Sequence, residues 1–112
     1  KAKKAIIPDS ITKGGVRYKV TSVAADAFSG CKKLKEVTIG KNIKTIGKNC
    51  FKNCHSLKKI NIRSKIFRKA GKNSLKGTNK KLIVSCNKKK MTKYKKLLKN
   101  RGNNKYKMKK KK

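Results

Sequence analysis

Residues 26–40 read "DAFSGCKKLKEVTIG" and residues 49–63 read "NCFKNCHSLKKINIR", one apolar pattern written twice, 23 positions apart. The match extends to both sides. Val20 answers Ile43, Val23 answers Ile46, Ala27 answers Cys50, Phe28 answers Phe51 and Cys31 answers Cys54. Leu34 then answers Leu57, Val37 answers Ile60 and Ile39 answers Ile62. A third copy arrives one residue late, with Phe67 standing for Ile43, Ala70 for Ile46, Gly71 for Gly47 and Asn73 for Asn49. It continues with Leu75 for Phe51 and Thr78 for Cys54, then weakens: Lys81 falls on the position of Leu57, although Val84 still answers Ile60.

A period in the low twenties lies in the range of leucine-rich-repeat solenoids. One turn of such a chain cannot bury its apolar side alone, whereas stacked turns bury a continuous column. Each turn is expected to contribute a short strand, about 4.8 Å from the next. The fold class predicted is therefore an α/β solenoid, a short right-handed coil with stacked parallel strands. Within a turn, "EVTIG" and "KINIR" alternate, which puts Val37, Ile39, Ile60 and Ile62 inward and Thr38 and Asn61 outward. Phe28 and Phe51 are the largest inward residues and are expected to stack. With Cys31, Leu34, Cys54 and Leu57 they complete the predicted structural core. Gly30 and Asn53 share a position, which reads as a turn tolerant of positive φ.

The ends depart from the repeat. "AIIPDSITKGGVRYKVTSV" reads as two short strands around a Lys13-Gly14-Gly15 turn, with Pro8 holding Ile6 and Ile7 at a strand start or edge. That is the expected N-terminal β cap. Met91, Tyr94, Leu97 and Leu98 fall at helical spacing, with Asn87 as N-cap and Asn100 or Gly102 as stop. The domain reading is a capped solenoid over 1–86, a capping helix over 87–102 and a basic tail over 103–112, read as disordered with a short edge strand as the alternative.

Composition restricts function. The 112 residues carry a formal net charge of +34, opposed only by Asp9, Asp26 and Glu36. Of the 37 basic residues, 33 are lysine and four are Arg17, Arg63, Arg68 and Arg101. Arginine serves bidentate contact to phosphate or guanine, whereas lysine is a hydrated point charge, so the balance favours a solvated coat over a base-reading surface. Such a coat still attracts polyanions non-specifically at low salt. No apolar run follows residues 1–4 as a signal peptide requires, and none approaches the roughly 18 apolar residues of a spanning helix. The first residue is Lys rather than Met, which reads as a mature piece of a longer chain.

The words "AFSGCKKLKEVTI" and "CFKNCHSLKKINI", preceded by "VTSV" and "IKTI", resemble the BspA-like, Treponema-type leucine-rich repeats. Those repeats run aromatic, small residue, Cys, Leu, Val, Ile. The resemblance covers roughly residues 6–94. It departs at Cys50, where Ala27 has the usual small residue, and in the weakened third copy, as in a terminal capping repeat. It implies a surface or secreted protein of host-associated bacteria, acting as an extracellular binding module or spacer, and no reaction.

No catalytic set assembles from the remaining residues. Cys50-x3-Cys54-His55 has loose zinc-ligand spacing, but the repeat makes Cys50 and Cys54 small inward residues rather than converging ligands. Cys31 and Cys54 read as a stacked reduced pair, with a disulfide between adjacent turns as the alternative, and Cys86 as the accessible thiol. His55 answers exposed Lys32, the three acids fall in different turns, and Gly14-Gly15 is a hairpin turn rather than a phosphate loop. No enzyme, metal or cofactor is expected. The helix bearing Lys88, Lys89, Lys90, Lys93, Lys95, Lys96 and Lys99 could lie along phosphates, yet Tyr18, Tyr94 and Tyr106 form no base-stacking array.

The function expected is a monomeric, non-catalytic recognition or adhesion module whose partner is a protein or an anionic glycan. The outward strand positions Glu36, Thr38, Gly40, Lys59, Asn61 and Arg63 are the candidate ligand face. The alternatives are a basic nucleic-acid-binding protein and a purely structural end of a longer array.

Overall fold

Val37, Ile60 and Val84 lie side by side on three parallel strands, at intervals of 23 and 24 residues. The computed structural model describes residues 4–103 and 105–111. In chain order the strands are β1 (Lys4–Ile6), β2 (Ser10–Lys13), β3 (Val16–Lys19), β4 (Ser22–Val23) and β5 (Glu36–Ile39). There follow β6 (Thr45–Ile46), β7 (Lys59–Ile62), β8 (Lys69–Ala70), β9 (Ile83–Asn87), a 3-10 turn (Lys88–Lys90), α1 (Met91–Leu98) and β10 (Lys107–Lys111).

Two parallel sheets form two walls of a repeat solenoid. One runs β1-β5-β7-β9-β10, the other β4-β6-β8. Alternation decides which side chains enter the core: Val37, Ile39, Ile60, Ile62 and Val84 are buried from the first wall, and Val23, Ile46 and Ala70 from the second. Leu34, Leu57, Ile43, Phe67, Phe51 and Leu75 fill the space between. The rings of Phe28 and Phe51 stack at 5.5 Å and 15°.

The bends repeat as faithfully as the strands. Asp26, Asn49 and Asn73, equivalent in the three turns, have φ of 61°, 57° and 58°. Gly30, Asn53 and Gly77 follow at 77°, 62° and 78°. Asn, Asp and Gly are the residues that accept this left-handed conformation at least cost, which explains why they alone occupy the two rows. Gly47 and Gly71 serve a different need. A Cβ on Gly71 would lie 2.3 Å from Lys48 N, so neighbouring turns can approach only without it.

Three expectations change at the ends. First, Lys81 is exposed and does not take the place of Leu57; Leu82 does, wholly buried, its N–H bonded to Asn79 O as that of Leu57 is to Cys54 O. One residue is gained before it and one lost after, so Val84 returns to register. Second, Ala5 pairs with Val37 across 32 residues because hairpin β2–β3 is inserted in the first turn. Positive φ at Gly14 and Gly15 closes that hairpin. The covering of this end comes from β1 and buried Ile7; the hairpin itself is almost wholly exposed.

Third, residues of the basic tail form the short edge strand that stood as the alternative to disorder. β10 pairs in parallel with the free edge of β9, Met108 beside Val84. Tyr106 and Met108 alternate with lysines and pack half-buried on the core. Buried Asn103 anchors the approach: its Nδ2 donates to Thr78 Oγ1 (2.8 Å) and Asn79 O (3.1 Å), and its Oδ1 accepts from Lys105 N (2.8 Å). Ahead of it, Asn87 caps the helical segment through Lys89 N, and α1 buries Tyr94 and Leu98. Tyr94 meets Phe67 edge-on at 5.4 Å and donates its hydroxyl to Ser64 O at 2.8 Å.

Candidate functional site

The outward side of the five-stranded wall is ordered by register. One row runs Lys4, Glu36, Lys59, Ile83, Lys107, and the next Ile6, Thr38, Asn61, Ser85, Lys109. Asn61 Nδ2 donates to Glu36 Oε2 at 3.2 Å, tying two turns together on this face. An open groove of about 410 Å³ runs past Lys59, Asn61, Ile83, Ser85 and Lys109. Of the face expected from sequence, Glu36, Thr38, Lys59 and Asn61 thus share one surface.

The other two members separate from it. Gly40 is buried rather than outward: a Cβ there would lie 2.5 Å from Ile7 O, so the glycine admits the linker after β1. Arg63 stands at the rim, 3.7 Å from Asp9 Oδ1, which also accepts from Lys41 N. An exposed pair of this kind contributes at most about 1 kcal/mol. The face expected from sequence omits Ile83, Ser85, Lys107 and Lys109, because the third turn reads as decayed and the edge strand is only the alternative for the tail. The match of Val84 to Ile60 is the signal that places Ile83 and Ser85, and the alternation of Tyr106 with Met108 the one that places Lys107 and Lys109.

The thiols also redistribute. Cys31 is exposed and Phe28 only half-buried, so neither belongs to the dry core expected of them. Phe28 has Phe51 on one face, and the projecting hairpin does not cover the other. Cys86, expected to be accessible, is wholly buried, as are Cys50 and Cys54. All four thiols are free, and Cys54 Sγ donates to Phe28 O at 3.0 Å. Burial, aided by the neighbouring Cys54 and Asp26 charges, pushes Cys50 from its ordinary 9.0 up to about 12. Burial raises Cys54 to about 11 and also raises Cys86. Thiols held protonated at neutral pH are poor nucleophiles and poor metal ligands.

His55 is exposed while Cys50 and Cys54 face the core, and among the described residues no three His, Cys, Asp or Glu converge as a metal site. The tyrosines are scattered: Tyr18 exposed on the hairpin, Tyr94 buried, Tyr106 half-buried. The helix lysines Lys88, Lys89, Lys93, Lys95, Lys96 and Lys99 are exposed and Lys90 partly so. Among the described residues no helix is long and apolar enough to cross a membrane.

Comparison with solved structures finds the same architecture. A leucine-rich cell surface protein from Faecalibacterium prausnitzii A2-165 matches at 29% identity with a TM-score of 0.66, over 73% of this chain and 22% of that one. A leucine-rich repeat protein from Bacteroides ovatus ATCC 8483 matches in fold at 23% identity and a TM-score of 0.55, over 77% of this chain and 30% of that one. The chain therefore spans less than a third of either. None of the curated proteins matches it. The profile described as the BspA type leucine rich repeat region, in six copies, matches residues 3–105. Register, turn ladders and profile describe one repeat, and this chain belongs to the BspA-type leucine-rich repeat family.

Proposed function

We propose that this chain is a non-catalytic recognition module of a bacterial cell-surface protein, with the outward face of β5, β7, β9 and β10 as its contact surface. The observation that carries the proposal is the register of that face: partly exposed Thr38 and Asn61 form a polar row that runs over the largely buried Ser85 to Lys109, with Lys59 alongside. A rigid row at strand spacing presents polar side chains at a fixed interval from turn to turn, the kind of extended surface through which solenoids bind partners. The lysine coat speeds encounter with acidic host or envelope macromolecules and makes binding salt-dependent. Cys50 and Cys54 are buried and held protonated, and among the described residues no hydrogen bond joins exposed Cys31 to His55, so no nucleophile–base pair is assembled.

Retention of the purified chain on epithelial cell layers and on bacterial envelope preparations, measured at rising sodium chloride, tests this reading. We expect retention at physiological ionic strength, a decline with added salt, and a several-fold loss in the Lys59→Gln/Asn61→Ala double variant. No retention at physiological salt, or retention indifferent to the double substitution, overturns it.

A further inference from the structure

The two walls treat charge differently. Within the five-stranded wall the paired strands keep lysines apart, Lys59 between Glu36 and Ile83 and Asn61 between Thr38 and Ser85, with one stacked pair, Lys35 and Lys58, just ahead of β5 and β7. On the other wall like charges stack. Strand pairing and backbone bonds from one turn to the next align Thr21 with Lys44 and Arg68, Ser22 with Thr45 and Lys69, and Ala25 with Lys48 and Lys72. Each row starts neutral in the first turn; two are basic from the second turn and all three are basic in the third. The five basic side chains involved are all exposed, and no residue after Glu36 is acidic.

Lys44 with Arg68, and Lys48 with Lys72, flank the paired strands β6 and β8 on adjacent turns, and like charges held one above the other in this way repel. The architecture does not require them, because the equivalent positions of the first turn hold Thr21, Ser22 and Ala25. Between the stacked charges lies an open groove of about 460 Å³, with Gly47 and Gly71 in its floor and Thr45, Lys48, Lys69 and Lys72 along it. Lys48 and Lys72 therefore stand one turn apart along the solenoid axis, about 4.8 Å at strand spacing, with Lys69 beside them in the same groove.

We propose that this groove is a docking surface for a linear sulfated glycan, whose sulfates seat between Lys48, Lys69 and Lys72 and span adjacent turns. Charge complementarity names the class. Lysine ammonium groups pair with sulfate oxygens as point charges, and the groove lining holds no arginine fork for bidentate contact to guanine. The groove also lacks the aromatic side chains on which bases stack. This surface rests on the recognition reading above, but it is a different wall from the strand face.

The test is binding of the full chain to immobilised heparin, desulfated heparin and duplex DNA at physiological salt. Three proteins are compared: wild type, Lys48→Gln/Lys69→Gln/Lys72→Gln, and the equal-charge control Lys93→Gln/Lys95→Gln/Lys96→Gln on α1. We expect the groove variant to lose at least tenfold in heparin affinity and the control less than threefold. The log–log salt slope should fall by about 2–3 in the groove variant only. Its thermal midpoint should stay equal or rise, since repulsion is removed, which separates lost binding from lost folding. Ala25→Lys, which extends one row into the first turn, should strengthen heparin binding.

Equal losses in both triple variants overturn the groove. If strand-face substitution still abolishes cell retention, that result leaves the recognition reading intact. Undiminished binding to desulfated heparin, or tighter binding to duplex DNA, overturns the choice of ligand. Absence of wild-type heparin binding overturns the surface altogether.

Discussion

Two turns of this solenoid carry nearly the same words, yet they live in different surroundings. Phe51 and Cys54 of the second turn have a neighbour on each side and are wholly buried. Phe28 and Cys31 of the first turn have a neighbour on one side only; the ring is half-buried and the thiol exposed. Burial in a stacked array belongs to the stack rather than to the repeat unit, because each turn's apolar side is covered by the turns that flank it. A conserved-looking position can therefore contribute several kcal/mol in one turn and little in the next.

Truncating the two phenylalanines gives the largest contrast. Phe51→Ala should destabilise the chain by about 3–5 kcal/mol, the usual cost of emptying a fully packed aromatic site. Phe28→Ala should cost less than about half of that, since its solvent-facing side already lies in water and solvent can fill the space. Urea titration of the two variants beside wild type measures the ratio. Equal losses would mean that Phe28 is covered in solution, and the contrast between turns would fail.

The thiols sharpen the same contrast at intermediate size. A water-soluble disulfide reagent should modify one thiol of the folded chain quickly, Cys31, and the other three only on unfolding. High pH probes the buried members. Folding raises the Cys50 pKa from 9.0 to about 12, so between those values the folded chain keeps a proton that the unfolded chain releases. Stability from this source is intact below pH 9 and lost as pH climbs toward 12. Comparing wild type with Cys50→Ala isolates this contribution: the variant should lose stability less steeply above pH 9, with identical slopes as the refuting result.

How far these differences could be read from sequence follows from their cause. The 23-residue period, the strand register and the left-handed bends are written in each turn, so inspection recovers them: Val37 does pair with Ile60, and Gly30 with Asn53 share a positive φ. Exposure depends on what lies over a turn, and for Cys31, Phe28 and Gly40 that is set by segments distant in sequence. Leu82 was concealed by a gain and a loss that cancel within a few residues. β10 stays second to disorder in the sequence because Met108 is its one apolar side chain among lysines, with Tyr106 just ahead of it, too sparse a pattern to outweigh the charge. On the candidate face, Glu36, Thr38, Lys59 and Asn61 lie within the regular repeat and were legible. Ser85 and Lys109 belong to the irregular end and were not.

The smallest effect concerns the third turn, where the comparison reverses sign. Ala27, Cys50 and Ser74 are equivalent, and Ser74 is wholly buried in a position that holds a buried thiol one turn earlier. A thiol tolerates such surroundings as a small hydrophobe. A hydroxyl does not, and Ser74 Oγ has no hydrogen-bond partner among the described residues. Its desolvation goes uncompensated, a cost of about 1–3 kcal/mol, partly offset in any variant by the small volume removed. Ser74→Ala should therefore stabilise the chain by about 1 kcal/mol, and Ser74→Cys, which copies the second turn, by a similar amount. Thermal melts of both variants decide the matter. A lower midpoint in both would show that the hydroxyl is satisfied, for example by a bound water, and that the third turn is packed as well as the second.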